Sequence, residues 1–115
     1  MNLRVDHDAM WRAFHAAVTE PLQKARIPFA VTPGNHDASA SGYFEPERQR
    51  FEAEWSARKP DLDYVDDTHY PFYYAFRMGP ARFVSLDATI VGKLNEPQRT
   101  WLRRLLKKSK ESIKI

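Results

Sequence analysis

The sequence predicts an α/β fold, and three observations carry that expectation. Apolar residues recur at helical spacing in three stretches. Between these stretches lie short runs rich in aromatic and β-branched residues, several ending on glycine or proline. With 43% hydrophobic and 13% aromatic residues, a chain of 115 residues can bury one core but leaves little room for a second. Residues 1–115 are therefore expected to form a single domain.

Residues 8–26 read as helix. Met10, Phe14, Ala17 and Val18 repeat at near-helical intervals with Trp11 beside them, and Asp8 suits the N-cap. Pro21 lacks the N–H needed to continue, which predicts a break there and a short second turn over 22–25. Residues 28–32 are apolar and β-rich and run into Pro33-Gly34, a strand entering a tight loop over 33–43. A helix over 46–59 follows, with Pro46 in its first turn and Phe51 and Trp55 four apart. Residues 61–68 form an acidic connection. Strands over 71–77 and 81–87, joined by Met78-Gly79-Pro80, read as an antiparallel hairpin. The last helix covers 95–110, opened by Asn95 and Gln98 as a capping box and striped by Trp101, Leu102, Leu105 and Leu106. Residues 113–115 look like the first of a further strand.

Composition narrows the function. There is no cysteine, which removes disulfides, thiolate metal sites and cysteine nucleophiles. The first residues lack the apolar core and cleavage site of a signal peptide, and no apolar run approaches the roughly 20 residues that span a bilayer. The expectation is a soluble chain, cytoplasmic by default, with no membrane partner. The net charge of +3 is unevenly placed, because residues 96–115 hold seven Lys/Arg against Glu96 and Glu111. Cations gathered on one amphipathic helix read as a solvated face rather than a nucleic-acid surface.

The segment Pro33-Gly34-Asn35-His36-Asp37 concentrates the chemistry. Gly34 lets the backbone turn sharply and pass close to another group. Asn35 offers a neutral oxygen, a hard ligand for Mn, Fe, Mg or Zn where carboxylates supply charge. His36 can give or take a proton near neutral pH, and Asp37 can hold an imidazole in one tautomer. The same residues also suit an ordinary turn.

The surrounding sequence resembles the calcineurin-like metallophosphoesterases. Trp11, Phe14, Val18, Pro21-Leu22, Ile27-Pro28 and Thr32-Pro33-Gly34-Asn35-His36-Asp37 are similar to that family's approach to its Gly-Asn-His-Asp/Glu block. Tyr73-Tyr74-Ala75-Phe76 with Phe83-Val84-Ser85-Leu86-Asp87 resembles its aromatic strand and Phe-x-x-Leu-Asp partner, and Gln98 with Trp101-Leu102 and Leu105 its Gln-x-x-Trp-Leu helix. The likeness runs through residues 9–107 and is nearest to the purple-acid-phosphatase-like and cyclic-nucleotide-phosphodiesterase-like branches. It implies a partial α/β/β/α sandwich with mixed strands and flanking helices. It implies a hydrolase of phosphate mono- or diesters in which two metal ions (Mn, Fe, Zn or Mg) hold a hydroxide for in-line attack. Asn35 would be a ligand of one metal, His36 would stabilise or protonate the leaving oxygen, and Asp37 would orient His36.

This sequence departs from the family pattern on both sides. The Asp-x-His and Gly-Asp blocks have no counterpart before Asn35, and the Gly-His-x-His block is absent after it. The expectation is an internal segment of a longer enzyme, inactive alone and prone to self-association through exposed strand edges. The alternative is a non-catalytic remnant or interaction module that keeps part of the scaffold. Other candidates read as structural: Asp6-His7-Asp8 sits too close to the first helix, His15 borders an apolar stripe, and His69 lies in an acidic connection without a calcium-loop pattern. Asp87 is assigned to loop orientation, and Ser39 and Ser41 lack a general base at recognisable spacing.

Overall fold

The computed structural model describes residues 6–109 and 113–115. The chain falls into two compact units, one ending at Ala30 and the other Val31–Ile115.

In the first unit, α1 (His7–Phe14) leads into a π-helical turn (His15–Thr19) and then α2 (Glu20–Lys24). Asp6, not Asp8, is the N-cap: its carboxylate accepts from the Ala9 N–H at 3.0 Å, leaving Asp8 in the first turn, where the helix dipole favours an acid. The helix is disturbed before Pro21 rather than at it. Pro21 has no N–H for the carbonyl four residues back, and its ring crowds that carbonyl. The preceding turn widens instead, with the Glu20 N–H bonding to His15 O, and Pro21 sits in the opening turn of α2. His15 is not a boundary residue, because it is buried with its Nδ1 2.9 Å from Thr19 Oγ1.

The second unit is built on a mixed four-stranded sheet in the order β1-β2-β3-β4: β1 (Asp63–His69), β2 (Tyr73–Met78), β3 (Ala81–Ser85) and β4 (Ile113–Lys114). The predicted hairpin is present with trimmed ends, Met78 pairing with Ala81 across Gly79-Pro80. Gly79 takes φ +57°, a left-handed conformation that the first position of such a turn requires. Two expectations need correction. The acidic connection is largely a strand, for β1 pairs antiparallel with β2 from Asp63–Arg77 to His69–Tyr73, with irregular register around Asp66. Its carboxylates are tolerated because β1 is an edge strand, where charge and irregularity discourage further pairing. Residues 28–32, in contrast, form no strand. β3 does pair in parallel with β4, and the Ile115 N–H and carbonyl extend that ladder to Arg82 O and Val84 N at 2.9 Å each.

Pairing register decides which side chains share a face. Opposed residues of an antiparallel pair point the same way, so Tyr74, Phe76, Phe83 and Ser85 lie on one face and Ala75, Arg82 and Val84 on the other. On the second face Ala75 packs with Trp101 and Leu105 of α4 (Glu96–Lys107), surrounded by Val65, Tyr73, Val84, Leu86 and Leu102. Burying each such large apolar side chain contributes roughly 1.5–3 kcal/mol. Lys107 ends α4 short of the predicted limit, and residue 110 lies outside the described residues. α3 (Glu45–Ala57) starts one residue early with Pro46 in its first turn and buries Phe51 and Trp55. Arg50–Glu54–Arg58 ion pairs of 2.7 and 2.8 Å run along the helix. Among the described residues no helix is long and apolar enough to cross a membrane.

Candidate functional site

The loop that carries Gly34-Asn35-His36-Asp37 is held on both sides by side chains from elsewhere in the second unit. Before it, the Val31 N–H donates to the Tyr74 hydroxyl at 3.0 Å, while that hydroxyl donates to Val31 O. Tyr74 is fully buried, and burial pushes its hydroxyl above the ordinary tyrosine range, which keeps the donor proton in place. Ser85, opposite Tyr74 in the sheet, donates to Thr32 Oγ1 at 3.1 Å. These contacts explain the missing strand. The Val31 backbone groups are satisfied by one tyrosine side chain rather than by a neighbouring ladder.

Past the motif, the clamp is polar. Arg48 of α3 donates through Nη1 to Ala38 O and through Nη2 to Asp87 Oδ2, both at 2.7 Å. Its guanidinium lies 3.8 Å from the centre of the Phe72 ring. The other Asp87 oxygen accepts from Thr89 Oγ1 at 2.8 Å, and Thr89 Oγ1 in turn accepts from the Ala40 N–H at 2.9 Å. Gln98, with none of its surface exposed, bonds the Asp87 backbone twice, accepting from its N–H at 2.8 Å and donating to its carbonyl at 3.1 Å. The capping box at the start of α4 is therefore only half made. Asn95 accepts from the Gln98 N–H at 3.0 Å, but the Gln98 side chain serves Asp87 instead of returning to Asn95.

Between the two anchors the chain makes one turn, closed by the Ala38 N–H bonding to Gly34 O at 2.9 Å. Pro33, Ala38 and Ser39 are buried, whereas Asn35, His36 and Asp37 are all exposed. The close approach expected at Gly34 is to the Asp37 carboxylate: a Cβ on Gly34 would lie 2.5 Å from Asp37 Oδ1. Asp37 thus folds back over Gly34, and the His36 imidazole projects into solvent.

Asn35, His36 and Asp37 share one turn, and Asp87 sits beneath the loop in an orienting position. His69 instead stacks on Tyr73 with ring centres 4.3 Å apart. Sequence reasoning missed Arg48 and Thr89. The signal for Arg48 was available, because it lies three residues before Phe51 and seven before Trp55, a charge on the buried stripe of its helix. Thr89 carried no signal, since only the folded chain brings it against Ala40.

The donor set does not make a metal centre. Asn35 is a single neutral oxygen, and among the described residues no group of three or more His, Cys, Asp or Glu side chains is placed to hold a metal ion. No protein-family model, curated protein or solved structure matches the chain.

Proposed function

We propose that this chain is a segment of a calcineurin-like metallophosphoesterase, a metal-dependent hydrolase of phosphate mono- or diesters, with Asn35, His36 and Asp37 at its reacting edge. The observation that carries the reading is the loop itself. Three adjacent side chains able to bind, protonate and orient stand exposed on one turn, while the flanking residues are pinned by Tyr74, Arg48, Thr89 and Asp87. A solvent-facing turn on a rigid support is what a group meeting a substrate requires. The sandwich of the resemblance is the proposed whole, of which the mixed sheet with α4 on one face forms part.

The roles assigned to these residues stay within what they can do. His36, exposed on the turn, delivers a proton to the departing oxygen of the ester. Asp37, next to His36 in the chain, is assigned to orienting that imidazole. Asn35 supplies one neutral oxygen. The described residues alone do not fit a divalent ion, so no hydroxide-forming step is assigned to them. The exposed edge of β4 is where a further strand or a second copy would pair in this reading.

The test compares release of p-nitrophenol from its phosphate mono- and diesters, with added manganese, by this chain and by a form carrying Gly-Asp and Gly-His-x-His blocks on its two sides. The extended form should turn over and the chain alone should not. In the extended form His36→Ala should lower turnover by roughly 10²–10⁴-fold, as for loss of a general acid. Turnover that survives His36→Ala unchanged would remove the assignment.

A further inference from the structure

Past the turn the chain changes character. None of residues 38–44 and 88–92 carries a charged side chain, in a chain of which 29% is charged. The two stretches are tied together, since the Ala40 N–H donates to Thr89 Oγ1 at 2.9 Å, and Ser39 and Thr89 are both buried. The Ser41 N–H donates back to Ser39 Oγ at 3.1 Å and the Phe44 N–H to Ser41 O at 3.0 Å, which closes a short 3-10 turn over Gly42–Phe44. Four large apolar side chains stand in solvent beside this anchor: Tyr43 is 93% exposed, Ile90 52%, Phe44 37% and Val91 wholly. Asp87, the acid that precedes the second stretch, is taken up by Arg48 and Thr89. Single exposed apolar residues are ordinary on a protein surface, but several gathered on loops that are tied together mark a place of contact.

We propose that these two loops receive the organic group of the phosphoester substrate, and that this group is uncharged and aromatic or aliphatic; the inference rests on the hydrolase reading of the turn. Ala40 lies three residues past Asp37, so their backbones are within roughly 11 Å of each other even at full extension, at about 3.3–3.6 Å per residue. One small aryl or alkyl phosphate spans that distance, with its phosphoryl group on the turn and its apolar end on the loops. Tyr43 offers a large, flat contact area with few bonds to immobilise, and Ile90 and Val91 add aliphatic surface that gains by leaving water. A second phosphate, a carboxylate or a sugar would be stripped of water there without a charged side chain to meet it. The surface therefore selects aryl and alkyl phosphoesters over nucleoside polyphosphates and sugar phosphates.

The experiment titrates 1-naphthyl phosphate into the isotopically labelled chain and follows the backbone amides. Saturable shifts are expected at residues 40–44 and 89–92 together with His36, and glycerol phosphate should bind no better than inorganic phosphate. Tyr43→Ser with Val91→Ser changes only exposed positions, so the fold should persist while affinity for 1-naphthyl phosphate falls about tenfold and that for inorganic phosphate stays. Equal affinity for glycerol phosphate and 1-naphthyl phosphate overturns the proposal. So do loop shifts that leave the His36 amide still, since the ring would then not belong to an ester held at the turn. Shifts of the same loop amides with protein concentration alone, which would seat a second copy on them, overturn it, as does binding to phosphatidylcholine vesicles with 1-naphthyl phosphate inert. The hydrolase reading is judged by a different measurement, the His36-dependent release of p-nitrophenol, so loops that fail here and a turn that fails there are told apart.

Discussion

Replacing Arg48 tests whether the loop is truly held from below. The Arg48–Asp87 pair is 2.7 Å long, with side chains 21% and 6% exposed, so it is largely out of water. Arg48→Ala removes that contact, the bond to Ala38 O and the stacking on Phe72, and leaves the Asp87 carboxylate with Thr89 as its remaining side-chain donor. Breaking one side of a buried ion pair costs about 3–5 kcal/mol, chiefly because the abandoned charge stays desolvated. That is a large fraction of the roughly 5–15 kcal/mol that holds a small domain together. Pairing Arg48→Ala with Asp87→Asn removes the stranded charge, so the double variant should be more stable than the sum of the single losses, with a coupling of about 1–3 kcal/mol. Urea unfolding followed by circular dichroism gives the three free energies. Hydrogen exchange of the Ala40 amide, which bonds to Thr89, reports the loop directly. A loss below about 0.5 kcal/mol for Arg48→Ala, the range of ordinary surface changes, with Ala40 protection unaltered, would refute the clamp.

Two further predictions concern pH. At Asp66, burial pushes the carboxyl pKa up, but bonds from Thr68 and Trp101 and the nearby His69 outweigh it, and the net direction is below the ordinary aspartate range. A depressed carboxylate contributes stability that is present above its unfolded value and lost as pH falls through its lower folded value, so Asp66→Asn should flatten that part of the acid-unfolding curve read by tryptophan fluorescence. Tyr64, Tyr70 and Tyr74 are shifted the other way, first by burial, and should stay protonated as pH passes the ordinary tyrosine value of 10.0. Their stability contribution is present below that value and lost as pH rises through the higher folded values, so their tyrosinate absorbance should emerge together with the loss of circular dichroism rather than before it.

Local pattern determined much of what is observed. The paired strands around Gly79, the Pro46 helix with Phe51 and Trp55 buried, and the Trp101–Leu105 stripe all follow from side-chain period and turn chemistry, which act over a few residues. The compact polar turn at Asn35, His36 and Asp37 was legible for the same reason. Contacts between distant residues decided the rest. Residues 28–32 have the composition of a strand, but a strand exists only with a partner, and the Val31 backbone groups are taken by Tyr74, which lies 43 residues away. Residues 61–68 look like a solvated acidic linker until β2 offers an edge with the right register and Trp101 gives Asp66 a donor. Arg48, Thr89 and Gln98 gain their roles only where Asp87 meets the Ala38–Ala40 backbone. Hydrophobic period records which side of an element is buried, but it carries no information about which polar atom will lie within 3 Å of another after the chain has closed.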